Sequence, residues 1–245
     1  MTELLFRPDN DYQKEFDSTV KKAKMTPDDP DSDGYIVLEE TLFYPEGGGQ
    51  PAGHGKLSWN GEEAEVVDVQ KKSGEVRHYL KGDTPEADME VHGEIDWERR
   101  YSHMRMHTAQ HVLSKVVLDM YDATTAGNQI YEDRSRIDFE PAEFDDSDIE
   151  KIEKAANAMI EGNHEVVKKN MSRERLEMEV EEGRSNMDLI PDHIDPLRVV
   201  IIRDEDICPC GGTHVDSLEE IGRIDIVEQT KKGADTERLE FVLED

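Results

Sequence analysis

Two short segments far apart in the chain carry most of its chemistry. His107-Thr-Ala-Gln-His111 spaces two imidazoles by four residues, and on a helix that spacing puts both on one face, where they can reach a single ion. His103 extends the ladder by one more turn. Alone, such a ladder serves equally well as a packed or solvated histidine face. Cys208-Pro-Cys210-Gly-Gly-Thr-His214 shifts that balance, because it places thiol and imidazole around two glycines that let a short loop curl until both point inward. Sulfur and imidazole are donors that suit zinc, and three histidines with one cysteine make a tetrahedral set. Spacing leaves open whether Cys208 or Cys210 binds and whether His103 competes with His107 and His111. These are the only two cysteines, and one intervening residue makes a loop-stapling disulfide unfavourable.

The elements that must position these groups fall into a strand-rich front and a mixed back. From Tyr35 to about Trp97, strand-like runs alternate with turn chemistry: Tyr35 to Tyr44, the Gly47-Gly-Gly-Gln-Pro51 bend, Asn60-Gly61, Lys72-Ser-Gly74, then Met89 to Trp97. This predicts a small β-barrel or sandwich. The pattern changes at Trp97-Glu-Arg-Arg100, after which Met104, His107, His111, Val112, Ser114 to Leu118 and Tyr121 follow a helical period. That helix should end near Asp122, before the polar Thr124-Thr-Ala-Gly127 segment. A second helix is expected from Ser147, with Ile149, Ile152, Ala156, Met159 and Ile160 as its apolar stripe and Asp148 suiting its dipole. A strand (165–169), a short helix (172–181) and three strands (197–203, 223–229, 238–243) complete an α+β layer domain. The expected organisation is a β-barrel domain over residues 1–97 and a metal-binding α/β two-layer domain over 98–245.

The chain has 245 residues, with 59 acidic and 29 basic side chains and a formal net charge of −30. Such acidity normally argues against nucleic acid, since phosphate binding works by neutralisation with Lys and Arg. Acid spread along the whole chain, as in Asp28-Asp29-Pro-Asp31, Asp145-Asp146 and Glu179-Val-Glu-Glu182, looks instead like a salt-adapted, halophilic surface. At 1 M salt the Debye length is about 3 Å, which shortens the reach of any repulsion from phosphate. Basic clusters open to phosphate are few: Lys21-Lys-Ala-Lys24, Lys71-Lys72, Lys168-Lys169 and Lys231-Lys232. No run approaches eighteen apolar residues and the N-terminus lacks a signal pattern, so a soluble, cytoplasmic protein with no membrane or DNA partner is expected.

With the two metal segments, three further stretches carry a family resemblance: Glu40-Thr-Leu-Phe-Tyr-Pro-Glu-Gly-Gly-Gly-Gln-Pro51, Gly127-Asn-Gln-Ile-Tyr-Glu-Asp-Arg-Ser-Arg-Ile-Asp-Phe139, and Val215 through Ile226. Together they resemble the editing domain shared by alanyl-tRNA synthetase and the free-standing AlaX proteins, which is related to that of threonyl-tRNA synthetase. The likeness runs from about Tyr35 to the end. With no room for a synthetase catalytic domain before Met1, the expectation is a free-standing editor of medium length. The resemblance implies His107, His111, Cys210 and His214 as ligands of one Zn2+ per chain, with Cys208 just outside the pattern.

The implied reaction is hydrolysis of the ester joining a wrong amino acid, serine first and glycine second, to tRNA(Ala). Serine is hard to reject by size, so a second hydrolytic site is the physical remedy. Four protein ligands look like a closed structural zinc, whereas catalytic zinc keeps an open position. Two mechanisms therefore stay open. In one, the zinc activates water or polarises the ester by changing its shell; in the other, it holds the pocket in shape or anchors the substrate amino group while tRNA hydroxyls position water. Positioning is favoured. In relatives Thr41 lies where the serine side chain is recognised, and a hydroxyl there would leave the methyl of alanine unmatched. Gly47, Gly48 and Gly49 lack the Lys-Ser/Thr ending of a phosphate loop and are expected either to form a plain turn or to wall the site. Gln110 stands where many synthetase editing domains carry threonine. Asn128, Gln129, Arg134 and Arg136 are candidates to line the pocket or hold the terminal adenosine, with salt bridges to the many acids as the alternative for the arginines.

Two other functions are separable from this one. Pro209-Cys210 and His92-Gly-Glu94 match fragments of a zinc nucleobase deaminase signature, but Thr213 stands where its second cysteine is required. That reading is rejected. A non-catalytic, zinc-stabilised tRNA-binding module fits a closed ligand set and differs by showing no turnover.

Overall fold

The computed structural model describes residues 2–26, 28–185, 187 and 190–244. The chain divides into two compact units, Met1–Tyr101 and Ser102–Asp245.

In the first unit, strands β2 (Glu15–Met25), β3 (Gly34–Leu38), β5 (Gly55–Trp59), β6 (Glu62–Lys72), β7 (Glu75–Gly82) and β8 (Glu90–Ile95) close into a barrel in the order β2-β3-β7-β6-β5-β8. The period-2 alternation is plain in β8, whose Val91, Gly93 and Ile95 are buried between exposed neighbours. Phe16, Val20, Ile36, Leu38, Leu57, Val66 and Leu80 fill the interior. The expected turns do the closing: Asn60 (φ 48°) with Gly61 (φ 87°) joins β5 to β6, and Ser73 (φ 54°) with Gly74 (φ 79°) joins β6 to β7. Two consecutive positive-φ residues make the hairpin turn whose twist matches that of the strands. The stretch expected as one strand over 35–44 is two: β3, and a short β4 (Glu40–Thr41) that pairs in parallel with β1 (Glu3–Leu4). Strand β2 was not read from sequence, because its buried Phe16, Ser18 and Val20 include a serine and its second half is lysine-rich.

Helix α1 (Trp97–Tyr121) begins where Asp96 accepts from the Arg99 backbone N–H at 3.1 Å and ends at Asp122, with φ of 54°. From Ser102 onward it belongs to the second unit, and Met104, Ala109, Val112, Leu113 and Val117 are fully buried. Among its described residues that unit holds two antiparallel sheets. One has the order β14 (Arg223–Lys231), β15 (Glu237–Glu244), β10 (Ser135–Glu140), β9 (Thr124–Ile130); the other runs β11 (Val166–Met171), β12 (Leu197–Ile202), β13 (Asp206–Pro209). Thr124 to Gly127, expected as a polar connection, is the start of strand β9. Helix α2 (Asp146–Glu161) opens with a capping box in which Asp145 and Asp148 each accept the other's backbone N–H. Its Asn157 donates to Ile224 O (2.8 Å) and accepts from Ile224 N (2.9 Å), which occupies the edge of β14. Helix α3 (Arg173–Glu179) starts at Ser172, whose hydroxyl accepts from Arg175 N. Among the described residues no helix is long and apolar enough to cross a membrane.

Candidate metal centre

Helix α1 presents His107 and His111 one turn apart, and the loop leaving β13 brings Cys210 and His214 to the same place. One ligand atom from each of the four lies within 4.8 Å of those from all the others. Cys210 Sγ is 3.5 Å from His107 Nε2 and 3.3 Å from His214 Nε2. Around a tetrahedral zinc, bonds of about 2.3 Å to sulfur and about 2.0 Å to nitrogen place neighbouring donors about 3.5 Å apart. The residues present thus fit one ion of this type.

Burial shapes their chemistry. Desolvation, reinforced for each by neighbouring histidines or by the Arg184 and Arg198 charges, holds His107, His111 and His214 well below the ordinary imidazole pKa. Neutral imidazole is the ligand form. The loop is clamped by the buried Arg198 on β12, which donates from Nη1 to Cys210 O at 3.1 Å and to Gly212 O at 2.6 Å. Gly212 N–H donates back to Cys210 Sγ at 3.4 Å.

Thr108 settles the tautomer of His214. Its hydroxyl donates to Met104 O at 2.8 Å, which uses its only proton. Its oxygen takes the Val215 N–H at 3.3 Å, so the 3.1 Å contact with His214 Nδ1 is a bond donated by the ring. Nε2 of His214 is therefore bare and faces Cys210.

The strand sets the two sulfurs apart. Cys208 sits on β13 opposite Val200, its thiol pushed up to about 12, chiefly by burial, and donating to Pro209 O at 3.6 Å. Cys210, just beyond the strand end, turns into the cluster. His103 is buried but lies outside the four-residue group.

Over its whole length the chain aligns, at 38% identity, with the whole of the alanyl-tRNA editing protein AlaX-M of Methanosarcina barkeri. The chain belongs to the AlaX family. It is also 36% identical to the alanyl-tRNA editing protein AlaX-L of Pyrococcus horikoshii, where 94% of this chain aligns with 55% of that one. An alanine–tRNA ligase of Thermococcus kodakarensis is 34% identical, 94% of this chain covering 24% of the ligase. Residues 197–240 match the family "Threonyl and Alanyl tRNA synthetase second additional domain", and residues 10–99 match "tRNA synthetases class II (A)". Cys210 and His214 of this AlaX chain fall inside the former stretch, while His107 and His111 lie between the two.

The other candidate residues of the AlaX chain are distributed as follows. Gln110, beside His111, receives a hydrogen bond from Asn128 Nδ2 on Oε1 (3.2 Å) and donates through Nε2 to Ser114 (2.8 Å), which in turn meets Thr125 at 2.7 Å. Gln110 and Asn128 are thus brought together across α1 and β9. Gln129 donates to Ile130 O at 3.4 Å. Arg134 pairs with Glu240 at 3.3 Å on the surface, and Arg136 is 3.7 Å from Asp138. In the barrel unit, Thr41 is fully buried, accepts from Phe43 N (3.1 Å) and contacts His78 Nε2 at 2.9 Å. Gly48 and Gly49, with φ of 62° and 82°, form a turn closed by two reciprocal 3.1 Å bonds between Gly47 and Gln50. Thr108, Arg198 and His78 were not singled out from sequence. A Thr next to a ligand His is the one local signal; Arg198 and His78 look like ordinary strand residues.

Proposed function

We propose that this protein hydrolyses the ester linking a mischarged amino acid, serine first and glycine second, to tRNA(Ala), acting in trans in the cytoplasm with one Zn2+ per chain. The observation that carries the reading is the convergence of His107, His111, Cys210 and His214, in a chain whose full-length relatives are alanyl-tRNA editing proteins. Three neutral imidazoles and one thiolate suit zinc above harder ions. When bound, zinc supplies a fixed double charge that orients the substrate amino group or polarises the ester carbonyl.

The chain's own residues do the rest. Gln110, its amide oxygen engaged by Asn128 and one amide hydrogen by Ser114, keeps a second N–H with which to orient substrate. Thr41 reads the amino-acid side chain. Its oxygen is fixed by Phe43 N–H, and its bond with His78 leaves either a lone pair or its own proton for a serine hydroxyl, whichever partner donates. Alanine offers nothing to match it, and a polar site left unmatched discriminates far better than a steric one. Gly47, Gly48 and Gly49 allow backbone to approach substrate without a side chain between. Gln129 and Arg134 are proposed to hold the terminal adenosine. The surface pair of Arg134 with Glu240 holds little energy against exchange for a phosphate.

A zinc-stabilised tRNA-binding module is the second reading, favoured by one observation: four protein donors already complete a tetrahedron. Deacylation of seryl- and alanyl-tRNA(Ala) in high KCl separates the two, with zinc content measured for the parent and for a Cys210→Ala, His214→Ala variant. Loss of serine alone, abolished together with zinc, is the expected result. A folded, zinc-loaded parent that hydrolyses neither ester refutes the editing proposal.

A further inference from the structure

A buried ion pair backs the metal cluster on its far side. Arg184, in the turn after α3, donates from Nε to Asp206 Oδ1 at 2.7 Å and from Nη2 to Asp206 Oδ2 at 2.6 Å, and both side chains are at least 96% buried. Burying two charges costs several kcal/mol per ion, and apolar residues of like volume often do as well or better for stability. Stability is therefore a poor reason for the pair, and its surroundings suggest another. Arg184 Nη2 also reaches His111 Nδ1 at 3.3 Å and His111 O at 3.5 Å, and Asp206 Oδ2 is 4.0 Å from the same Nδ1. With Nδ1 turned to this pair, Nε2 is the atom that His111 offers to the cluster.

Ligation through Nε2 requires the proton on Nδ1, and that proton requires an acceptor. The guanidinium has only donors, so Arg184 cannot serve. Asp206 can, on closing from 4.0 Å to about 3 Å. We propose that Asp206 is the positioning residue of His111, accepting its Nδ1–H when metal is bound, and that Arg184 holds the carboxylate in place by its two-pronged grip. His214 is served in the same way by Thr108, so each of these two ligands has its own buried acceptor. The inference rests on the metal reading above and adds to it the layer that sets the orientation and basicity of one ligand.

The test is zinc affinity by chelator competition, together with the visible spectrum of the Co2+-substituted protein. The parent is compared with Arg184→Met/Asp206→Leu, which removes both charges and so leaves neither stranded. The expected result is a zinc affinity about 10- to 100-fold weaker and altered cobalt bands, in a protein that still melts cooperatively in excess chelator. Parent-like affinity and spectrum would overturn the assignment. A second measurement needs no variant: in the zinc-loaded parent, the His111 ring nitrogens are assigned by NMR. A slowly exchanging Nδ1–H supports the proposal, and a bare Nδ1 overturns it. A parent that takes up no zinc at all refutes the metal reading itself, and with it this inference.

Discussion

Replacing Thr108 by valine keeps the shape of the side chain and deletes three hydrogen bonds. The hydroxyl donates to Met104 O and accepts from Val215 N–H and His214 Nδ1–H, all inside the protein. Met104 O keeps its place in the helix ladder, so the cost lies with the two stranded donors. A buried donor without a partner costs about 1–3 kcal/mol. Without metal, His214 can move its proton to Nε2, beside Cys210 Sγ at 3.3 Å, and only Val215 N–H is stranded. With metal, Nε2 must stay bare and the Nδ1–H is stranded too. The metal-bound form therefore loses one donor more than the metal-free form, about 1–3 kcal/mol, or roughly 5- to 150-fold in metal affinity. Thr108→Ser retains the oxygen and should stay near the parent. The assay is zinc competition with a chelator, paired with urea unfolding in the presence of zinc and of excess chelator. A valine variant with parent zinc affinity, or one equally destabilised with and without metal, refutes the tautomer assignment.

Four further outcomes are expected. Thr41→Val should strand Phe43 N–H and the His78 ring, cost about 2–6 kcal/mol in urea unfolding and lower the preference for seryl over alanyl ester; undiminished preference removes Thr41 from substrate recognition. Cys208→Ala should retain one zinc per chain while Cys210→Ala loses it, as read by metal analysis after dialysis, and the reverse result would reassign the sulfur. Burial pushes His78 down to about 4 from an ordinary 6.5, so the folded state binds its proton less readily than the unfolded one. Its contribution is then fully present above pH 6.5 and fades toward pH 4, by about 3 kcal/mol in all, and His78→Gln should flatten the pH dependence of unfolding over that window. An unchanged slope contradicts this. Finally, the −30 formal charge should make the protein markedly more stable in molar KCl than in dilute buffer, and equal melting temperatures in both would refute salt adaptation.

Much of this architecture was legible because it obeys local rules. The Asn60-Gly61 and Ser73-Gly74 hairpins are each decided within a few residues. Strand β13 was not legible, since Asp206-Ile-Cys-Pro209 is short and contains the very residues read as a metal loop. Strand β9 was missed for the same kind of reason: its Thr124-Thr-Ala-Gly127 start is polar and half-buried, and only pairing with β10 makes it a strand.

The sequence by itself determined the donors and their local geometry. Four residues between two histidines put both on one helix face whatever surrounds the helix, and Gly211-Gly212 permits the loop to bend. It could not choose between Cys208 and Cys210, two thiols separated by a single residue. Tertiary structure separates them, because β13 buries Cys208 near Arg184 and Asp206 and ends before Cys210, which joins the three histidines. The groups that position the ligands, Thr108 apart, were also decided there. Arg184 and Asp206 are brought to His111 by chain reversals of tens of residues, and no period or motif records contacts made at such separation.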